Sequence, residues 1–370
     1  MIQPYVPNAL PISDLDLRRL LPLVGRANAA LARYDGLLQS IPDPAVMLSP
    51  LTTREAVLSS KIEGTQATLD QVLEQEAGIK HTGELDKDII EISNYRTALV
   101  LAADDVRDSP IRLHHIRQMH SILMDGVRGR LKSPGEFRKE QNWIGRPGTK
   151  IEQATFIPPS PLQLRDHLEA WERYVEEDDL DVLIQCGVMH AQFELLHPFK
   201  DGNGRIGRLL IPLFLFQKRA LTRPMFYLSE YLEAHRADYY QRLQAISAEG
   251  DWDSWIAFFL TAIATQAESN GRRALAIRTL YDTMKKRIQE ITRSQYAIYV
   301  LDALFAKPIF SASELAKRIG DQYDVNDKTI ATMIRQLRDD GILTEIRPAA
   351  GRRPAVLMFT ELLATAESEV

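Results

Sequence analysis

The chain has 370 residues, a net charge of -5, and 45% apolar and 26% charged residues. This composition is typical of a globular protein of two or three domains with a sizeable core. The single cysteine, Cys186, excludes an intrachain disulfide framework and a multi-cysteine zinc site. The start "MIQPYVPNALPI" lacks the pattern of a signal peptide, and no apolar run reaches bilayer length, so we expect a cytoplasmic protein with no membrane partner.

The first 105 residues predict an extended segment followed by helices. Pro4, Pro7 and Pro11 exclude a helix up to about Asp14. After that point, stretches such as "DLRRLLPLVGRANAALARYDGLLQSI" repeat apolar residues at helical spacing. The stretch "TTREAVLSSKIEGTQATLDQV" is also a helical run, and by itself it indicates a solvated helix face. We therefore expect an N-terminal helical region over residues 1–105.

A second helical region, residues 106–267, contains one non-helical insertion. Within "EFRKEQNWIGRPGTKIEQATFIPPSP", residues 142–145 and 154–157 resemble two short strands around a turn rich in Gly and Pro. We expect a β-hairpin flap over residues 136–159, which either serves a ligand site or only covers the core. Elsewhere "RLHHIRQMH" holds three histidines whose spacing scatters them over different helix faces, so we expect packing and surface roles for His114, His115 and His120.

The last hundred residues change character. Residues 268–291 predict a basic helical connector, and residues 292–370 predict three short helices and a β-pair that turns at Gly351. This order is typical of a winged helix-turn-helix domain. Acidic residues lie close to the basic ones, so DNA binding is not favoured over protein docking. The candidate phosphate contacts are Lys328, Arg335, Arg338, Arg352 and Arg353, and the acidic neighbours are Asp327, Asp339 and Asp340.

The stretch "HPFKDGNGRIGR", residues 197–208, lies between two apolar runs that predict helices. Pro198 is expected to end the first helix near His197, and "DGNG" reads as a tight loop that feeds the second helix. Gly202 and Gly204 permit positive φ and a close approach of a ligand to the backbone. The amides at such a helix start form an anion site, so the loop predicts phosphate binding.

Four side chains of the same stretch suit chemistry at phosphorus. Arg205 and Arg208 lie three positions apart on the second helix, so both guanidinium groups can face the same phosphates. Asp201 offers an oxygen ligand of the kind that Mg²⁺ accepts when phosphates complete its shell. His197, with an ordinary pKa of ~6.5, is largely neutral at pH 7 and can accept a proton from a hydroxyl. A lone His before Pro, or a lone Gly-Asn-Gly turn, is more often a helix break, but all these features within twelve residues together predict a nucleotide site.

In its order of His, Phe, acidic residue, Gly-Asn-Gly-Arg and second Arg, "HPFKDGNGRIGR" resembles the signature of Fic-domain proteins. The resemblance implies a mainly α fold, a Fic helical core with a β-hairpin flap, to which the winged-helix domain is added. It implies a nucleotidyltransferase of the EC 2.7.7 type, which transfers AMP from ATP to a Ser, Thr or Tyr hydroxyl of a protein. The related Doc kinases carry lysine in place of the second loop glycine, so Gly204 favours adenylyl over phosphoryl transfer.

The resemblance also implies roles for individual residues. His197 would be the general base, Phe199 a core anchor, and Asp201 the Mg²⁺ ligand. Asn203 and the loop amides would hold the α- and β-phosphates, and the two arginines the outer phosphates. The flap, at about residues 141–159, would pair with an extended segment of the target protein. The full set of implied ATP contacts is Glu63, Gly202, Asn203, Gly204, Arg205, Ile206, Gly207, Arg208 and Tyr240, where for Tyr240 a packing role, or its neighbour Tyr239, is the alternative.

"SSKIEG" resembles the inhibitory pattern of the family, in which Ser or Thr is followed after three residues by Glu and then Gly or Asn. This likeness implies a class II-like arrangement, with an inhibitory helix over about residues 53–66. Its residues are Ser59, Glu63 and Gly64, and Glu63 would compete with the γ-phosphate for Arg208. In some family members this glutamate is associated with removal of AMP, so the direction of the reaction stays open.

Two hypotheses from different classes therefore remain. The favoured one is an autoinhibited protein adenylyltransferase that uses ATP and Mg²⁺. The alternative is an ATP-sensing DNA-binding regulator with little turnover. The sequence leaves open the target protein, self-modification and the formation of a homodimer.

Overall fold

The computed structural model describes residues 3–107, 109–126, 131–146, 148, 150–351 and 353–368. Sixteen helices and three strands follow one another in these residues. They are α1 (Leu17–Gln39), α2 (Pro44–Met47), α3 (Ser49–Ile62), α4 (Leu69–Glu76), α5 (Glu84–Asp105), α6 (Leu113–Leu123), α7 (Pro161–Glu176), α8 (Val182–Leu196), α9 (Asn203–Gln217), α10 (Ser229–Ala234), α11 (Arg236–Glu249), α12 (Trp252–Thr292), α13 (Ala297–Ala306), β1 (Ile309–Ser311), α14 (Ala312–Tyr323), α15 (Asp327–Asp339), β2 (Thr344–Arg347), β3 (Val356–Met358) and α16 (Thr360–Glu367).

The prediction of a mainly α fold is confirmed. By their contacts the residues form two compact units. The first comprises the described parts of Met1–Asp35, Leu58–Thr65 and Ser93–Glu268, and the second those of Gly36–Val57, Gln66–Ile92 and Ser269–Val370. Within the described parts of the chain, no helix combines the length and apolar character needed to cross a membrane.

The core of the first unit is built around α8, which is apolar on every side and buried along nearly its whole length. Its first turn is capped by Asp181, whose Oδ1 accepts hydrogen bonds from the amides of Leu183 and Ile184. Two indole groups donate to α8 carbonyls, because a buried indole N–H needs an acceptor. Trp171 of α7 donates to Met189 and Trp255 of α12 donates to Gly187, both at 2.9 Å. Cys186 is buried in this helix, as the sequence predicts. These contacts make α8 a fixed base for the loop that follows it.

The proline-rich start contains no helix over residues 3–14, as predicted. It is held against the first unit by hydrogen bonds to its backbone and side chains. The Tyr5 amide donates to the Ile157 carbonyl at 2.8 Å, and Gln192 donates to the Asn8 carbonyl at 3.1 Å. The segment is therefore an extended strap beside the base of the flap.

The flap contains less β-structure than the sequence predicts. Instead of two strands over 142–145 and 154–157, a single bridge pairs Ile144 with Phe156, and a 3₁₀ turn, Ile151–Gln153, lies between them. The Ile144 amide donates to the Phe156 carbonyl at 2.9 Å, while the Phe156 and Thr155 amides both donate to the Ile144 carbonyl. Two amides that share one carbonyl end the regular ladder after one pair. Residues 147 and 149 of the predicted turn lie outside the described residues.

The second unit ends in a small antiparallel sheet with helices around it. The strand order is β1-β3-β2, with Ile309 opposite Met358 and Thr344 opposite the same Met358 on the other side. Helix α15 is capped by the Asn326 side chain and buries Ile330, Met333, Ile334 and Leu337 on one face. Helix, strand, two helices and two strands thus follow in the order that a winged-helix pattern predicts. The assignment to that class, and the predicted domain boundaries at 105, 267 and 291, stay predictions.

Candidate active site

The catalytic candidate His197 lies at the point where α8 stops. Its backbone is in the left-handed region, with φ 46° and ψ 59°, and Pro198 follows it. Proline cannot donate a helical hydrogen bond, and it disfavours a helical conformation in the residue before it. The chain therefore turns sharply at His197, as the sequence predicts. The turn carries the imidazole to the end of α8 rather than along its side.

The imidazole of His197 is set up to accept a proton. Its Nδ1 lies 3.3 Å from the Glu194 carbonyl oxygen, which can only accept, so Nδ1 carries the hydrogen and Nε2 keeps its lone pair. Burial, aided by the charge of Arg138, lowers the pKa of His197 to about 4. The side chain is therefore neutral at pH 7 and can act as a general base.

The loop after His197 is held by Phe199 and Asn203. Phe199 is fully buried, as the family resemblance implies for a core anchor. The Asn203 side chain accepts from the Phe199 amide at 2.8 Å and donates to the Phe199 carbonyl at 2.9 Å. Both ends of this amide are thus committed to the loop. The phosphate contact that the resemblance implies for Asn203 stays a prediction, since its side chain makes these two hydrogen bonds within the loop.

His120 supports the same loop from α6, a role that the sequence analysis did not give it. Its ring stacks on Phe199 with 3.7 Å between centroids and 3° between planes. The Gly135 amide donates to His120 Nδ1 at 2.8 Å, so Nε2 carries the hydrogen and donates to the Asp201 carbonyl at 3.0 Å. Burial lowers its pKa to about 4, so the ring stays neutral. Among the described residues no group of three or more His, Cys, Asp and Glu side chains is placed to hold a metal ion.

Gly202 and Asp201 form the turn that starts α9. Gly202 has φ 76°, and a Cβ there would lie 3.1 Å from Sδ of Met124. Both the positive φ and this close contact favour glycine at the position. The Asp201 Oδ1 accepts from the Gly202 amide at 2.7 Å and lies 3.8 Å from Nη2 of Arg205. The carboxylate is half-exposed at the mouth of the loop. The carboxylate is therefore accessible, and the Mg²⁺ ligation expected of Asp201 stays a prediction.

Arg208 meets the segment that the sequence predicts to be inhibitory. Its Nη2 donates to Glu63 Oε1 at 2.7 Å and to the Ser59 carbonyl at 3.0 Å, and its Nε donates to Ser59 Oγ at 2.9 Å. The Arg208 side chain is 1% exposed and the Glu63 side chain 35%. Burial tends to raise the pKa of Glu63, but the charge and hydrogen bond of Arg208 lower it below its ordinary value. Glu63 is therefore an anion beside the guanidinium.

Glu63 lies one residue beyond the end of α3 rather than within the predicted helix. The Glu63 amide donates to the Ser60 carbonyl, and Gly64 follows with φ 105°. Glycine tolerates this left-handed conformation, which closes the helix and aims the glutamate at Arg208. The pattern Ser59, Glu63, Gly64 thus supplies two hydrogen-bonding groups and one turn.

Gly204 does not have the positive φ that the sequence predicts, since it lies in the first turn of α9. Gly204 matters because the neighbouring side chains leave no space for a side chain at this position. A Cβ at this position would lie 2.3 Å from Glu63 Oε1 and 2.9 Å from Arg208 Nη1. A larger residue at this position is therefore incompatible with the ion pair as it stands.

A cavity of about 590 Å³ connects these groups. His197, Gly204, Arg208 and Glu63 line one part of it, and the flap lines another. The remaining wall comes from α8 and α11, and the lining residues there are Glu194, Leu195, Arg236, Tyr240, Leu243, Gln244 and Ser247. Of the residues in this remaining wall, only Tyr240 was predicted from the sequence to lie at the site. Contributions from α11 depend on tertiary packing and have no local motif.

The two neighbouring tyrosines of α11 have different environments. Tyr240 is 43% exposed and lines the cavity, and its contact with the nucleotide stays a prediction. Tyr239 is buried, and its hydroxyl lies 3.0 Å from Nε2 of His190. Nδ1 of His190 lies 3.0 Å from the Gly207 carbonyl, so Nδ1 donates and Nε2 accepts from the tyrosine. Tyr239 and His190 thus join α11, α8 and α9 beneath the site.

Ile206 and Gly207, which the resemblance places among the ATP contacts, face inward. The Ile206 side chain is fully buried in the core. A Cβ at Gly207 would lie 2.2 Å from Glu194 Oε1 and 3.3 Å from Cε1 of His190. These two positions therefore pack α9 against α8, and their ATP contacts remain a prediction about their backbones.

Arg138 ties the flap to the catalytic turn and was not recognised from the sequence. It is buried, and its guanidinium donates to the carbonyls of His197 at 3.0 Å, Leu196 at 3.3 Å and Pro159 at 2.6 Å. Burial lowers its pKa to about 10. A guanidinium that satisfies several carbonyls fixes the left-handed turn at His197 and the base of the flap together.

The basic residues proposed as DNA contacts do not form an isolated positive patch. Arg338 pairs with Asp339 at 2.9 Å and with Glu345 at 3.7 Å. Lys328, Arg335 and Arg353 are exposed, and Arg352 lies outside the described residues. The choice between DNA binding and protein docking by this domain stays a prediction.

The chain is similar in sequence to members of a known protein family. Residues 21–104 match the Fic/DOC family N-terminal region, and residues 110–215 match the Fic/DOC family itself. The chain therefore belongs to the Fic/DOC family. A probable protein adenylyltransferase of Aquifex aeolicus is 26% identical over 195 residues, 51% of this chain and 55% of that protein. Protein adenylyltransferase Fic of Aedes aegypti is 31% identical over 154 residues, 40% of this chain and 27% of that protein.

Solved structures show the same fold. A Fic family protein from Desulfovibrio desulfuricans aligns with a TM-score of 0.59 at 19% identity, over 97% of this chain and 98% of that one. Fic-1 of C. elegans aligns with a TM-score of 0.50 at 18% identity, over 70% and 73%. At these identities the likeness concerns the fold alone. The chain spans about half or less of the two curated relatives described above.

Proposed function

We propose that the chain is a protein adenylyltransferase that transfers AMP from ATP to a Ser, Thr or Tyr hydroxyl of a target protein. The observation that carries this proposal is the position of three groups on one cavity: the neutral His197 imidazole, the amides at the start of α9 and the Arg208 guanidinium. The names of its relatives support the same activity.

The chemistry follows from these positions. His197 Nε2 takes the proton of the target hydroxyl, and the hydroxyl oxygen attacks the α-phosphorus of ATP. The bond between the α-phosphorus and the bridging oxygen breaks, and pyrophosphate leaves with the electron pair. The helix-start amides and the arginines stabilise the charge that develops on the phosphates. Catalysis therefore consists mainly of positioning and charge stabilisation, together with one proton removal.

A divalent cation is proposed to bind at Asp201, in the loop between His197 and α9. Asp201 presents one half-exposed carboxylate beside the helix start, and Mg²⁺ commonly binds through one carboxylate while phosphates complete its shell. When bound, Mg²⁺ would neutralise phosphate charge. Asp201 is held for this role by the hydrogen bonds of its own turn to Gly202 and His120.

Glu63 is proposed to inhibit the transfer. It occupies the Arg208 guanidinium, which is the group suited to the outer phosphate of ATP. A bound nucleotide would have to displace Glu63 or accept a different position. The same carboxylate lines the cavity with His197 and could orient a water against an adenylylated hydroxyl, so removal of AMP is a second activity to measure.

The flap is proposed to receive the target protein. Trp143 and Ile144 are 42% and 41% exposed, and both line the cavity together with Thr155 and Phe156. An extended target segment is proposed to pair with the flap by strand addition. Such pairing would align a target hydroxyl over His197. The identity of the target, and self-modification, are questions for the same assay.

The test is AMP incorporation from ATP labelled at the α-phosphate. Purified Glu63→Gly protein is incubated with cell lysate, and the modified bands are identified by mass spectrometry. Label on proteins or on the chain itself supports the proposal. Complete absence of label from the Glu63→Gly protein, while it still binds ATP, would favour the alternative of a nucleotide-sensing regulator.

A further inference from the structure

Glu194 is a partly buried acid of the active site that the proposed transfer does not use. It lies in the last turn of α8, three residues before His197, and its side chain lines the cavity with Glu63 and Arg208. Apart from Glu194, the polar side chains of α8 are Gln185, His190 and Gln192, and Glu194 is its one carboxylic acid. A carboxyl group in such a helix requires a reason, because burial of an acid without a partner is unfavourable.

The carboxyl group is incompletely satisfied. Among the described residues, Glu194 Oε1 is buried and has no hydrogen-bond partner, and the same holds for Arg208 Nη1. The space for the carboxyl comes from Gly207, where a Cβ would lie 2.2 Å from Oε1. Both residues line one cavity, where a ligand oxygen can accept from Arg208 Nη1 and, when Glu194 is protonated, from its carboxyl O–H.

The charge state of Glu194 decides which ligand it can meet. Burial raises its pKa to about 8, with a further raising effect from Glu63 and an opposing effect from Arg208. At pH 7 the group is therefore mainly the neutral acid, which has one O–H donor. A neutral donor can approach an anion, whereas a carboxylate would repel it.

We propose that Glu194, as the neutral acid, donates a hydrogen bond to a phosphate oxygen of the nucleotide that Arg208 holds. The inference rests on the proposed function only for the presence of a nucleotide in this cavity. Glu194 is then a binding residue that couples nucleotide affinity to pH. The phosphates bring more negative charge to the cavity than the single carboxylate of Glu63, so binding favours the protonated form and draws a proton onto Glu194.

The groups that face Glu194 allow this coupling to be isolated. Tyr240 has a pKa raised to about 12 by burial, and that of Tyr239 is raised well above its ordinary value. His190 and His197 have pKa values lowered by burial to about 3 and about 4. Arg208 keeps its proton and Glu63 stays ionised, and Arg236 is an arginine and always charged. Between pH 7 and pH 9, Glu194 is thus the member of this set that changes charge.

The experiment measures ATP binding by titration calorimetry between pH 7 and pH 9, with excess MgCl₂. The host protein carries Glu63→Gly to open the site and His197→Ala to prevent turnover. Each titration is repeated in two buffers of different ionisation enthalpy, which reports the protons taken up on binding. We expect the Kd to rise at least about fivefold over this range, since one linked proton permits up to tenfold per pH unit. A net uptake of up to one proton should accompany binding.

Adding Glu194→Gln to the host should keep a neutral donor of the same size. We expect its Kd to change less than about twofold over the same range, with the proton uptake lost. Glu249→Gln, an exposed acid at the end of α11, is the matched control and should leave both quantities unchanged. A host protein without proton uptake, or an equal uptake after Glu194→Gln, overturns the inference.

The outcomes separate this inference from the proposed function. A host whose ATP affinity follows Glu194, combined with a Glu63→Gly protein that transfers no AMP, supports the inference and contradicts the proposed function. Absence of ATP binding overturns both. Because the host retains Glu194, its proton uptake tests the inference even if Glu194→Gln fails to fold.

Discussion

Glu63 and Arg208, 145 positions apart in the chain, are joined by a hydrogen bond of 2.7 Å within the cavity that also holds His197. Ser59 completes the contact through its hydroxyl and its carbonyl. The guanidinium is thus shared between the N-terminal motif and the catalytic loop. This single arginine connects the proposed regulation to the proposed chemistry.

Replacing Glu63 should activate the protein. Each charge-assisted hydrogen bond contributes about 1.5–3 kcal/mol, so freeing Arg208 for phosphate should raise AMP incorporation by roughly 10- to 100-fold. The measurement compares Glu63→Gly with the natural chain, using ATP labelled at the α-phosphate. Glu249→Gln serves as the control for loss of an acid elsewhere. Equal or lower AMP incorporation by the Glu63→Gly protein would contradict autoinhibition by Glu63.

Replacing His197 should separate binding from transfer. In a Glu63→Gly background, His197→Ala removes the general base and should lower the transfer rate by at least about a hundredfold. The affinity for ATP should stay within about threefold, because the groups proposed to bind its phosphates lie on α9. Calorimetry and the label assay on the same preparation provide the two values. If the alanine variant retained transfer, another group would have to be the base.

The flap should matter for protein targets and not for ATP. Ile144→Pro removes the amide that donates to the Phe156 carbonyl at 2.9 Å and so breaks the bridge. We expect at least about a tenfold loss in modification of a protein target, with ATP affinity unchanged within about twofold. Glu152→Ala, an exposed change in the 3₁₀ turn of the flap, is the control. Unaltered target modification by Ile144→Pro would contradict the role assigned to the bridge.

Buried His190 should make stability depend on pH. Its folded pKa of about 3 lies below the ordinary 6.5, so below pH 6.5 the unfolded chain binds more protons. The stability contributed by the neutral ring is present above pH 6.5 and is lost as the pH falls. From pH 7 to pH 5 this single group should lower the free energy of unfolding by about 2 kcal/mol.

Urea unfolding at both pH values measures this effect by difference. His190→Gln keeps an amide donor for the Gly207 carbonyl but cannot titrate, so its loss between pH 7 and pH 5 should be about 2 kcal/mol smaller. His235→Gln, at an exposed histidine, should show the same loss as the natural chain. A similar pH dependence for His190→Gln and the natural chain would show that His190 is not the source.

Much of the site was predictable because local chemistry controls it. Pro198 ends α8 because a proline disfavours a helical conformation in the residue before it, whatever the tertiary context. Gly202 supplies the positive φ at the start of α9. Consecutive residues therefore set the order of base, loop, helix start and arginine. The α15 helix likewise follows from its apolar spacing and the Asn326 cap. The flap was less predictable, since two alternating segments do not reveal that only one pair closes.

By itself, the sequence determined which short segments carry the chemistry, because helix ends, glycine turns and motif spacing depend on neighbouring residues. Only the tertiary structure decided which distant groups share an environment. It brought Glu63 into hydrogen-bond contact with Arg208, stacked His120 on Phe199 and packed the Glu194 carboxyl against Gly207. The physical reason is that burial and the charges of packed neighbours, not residue type, set a pKa and decide whether a polar atom finds a partner.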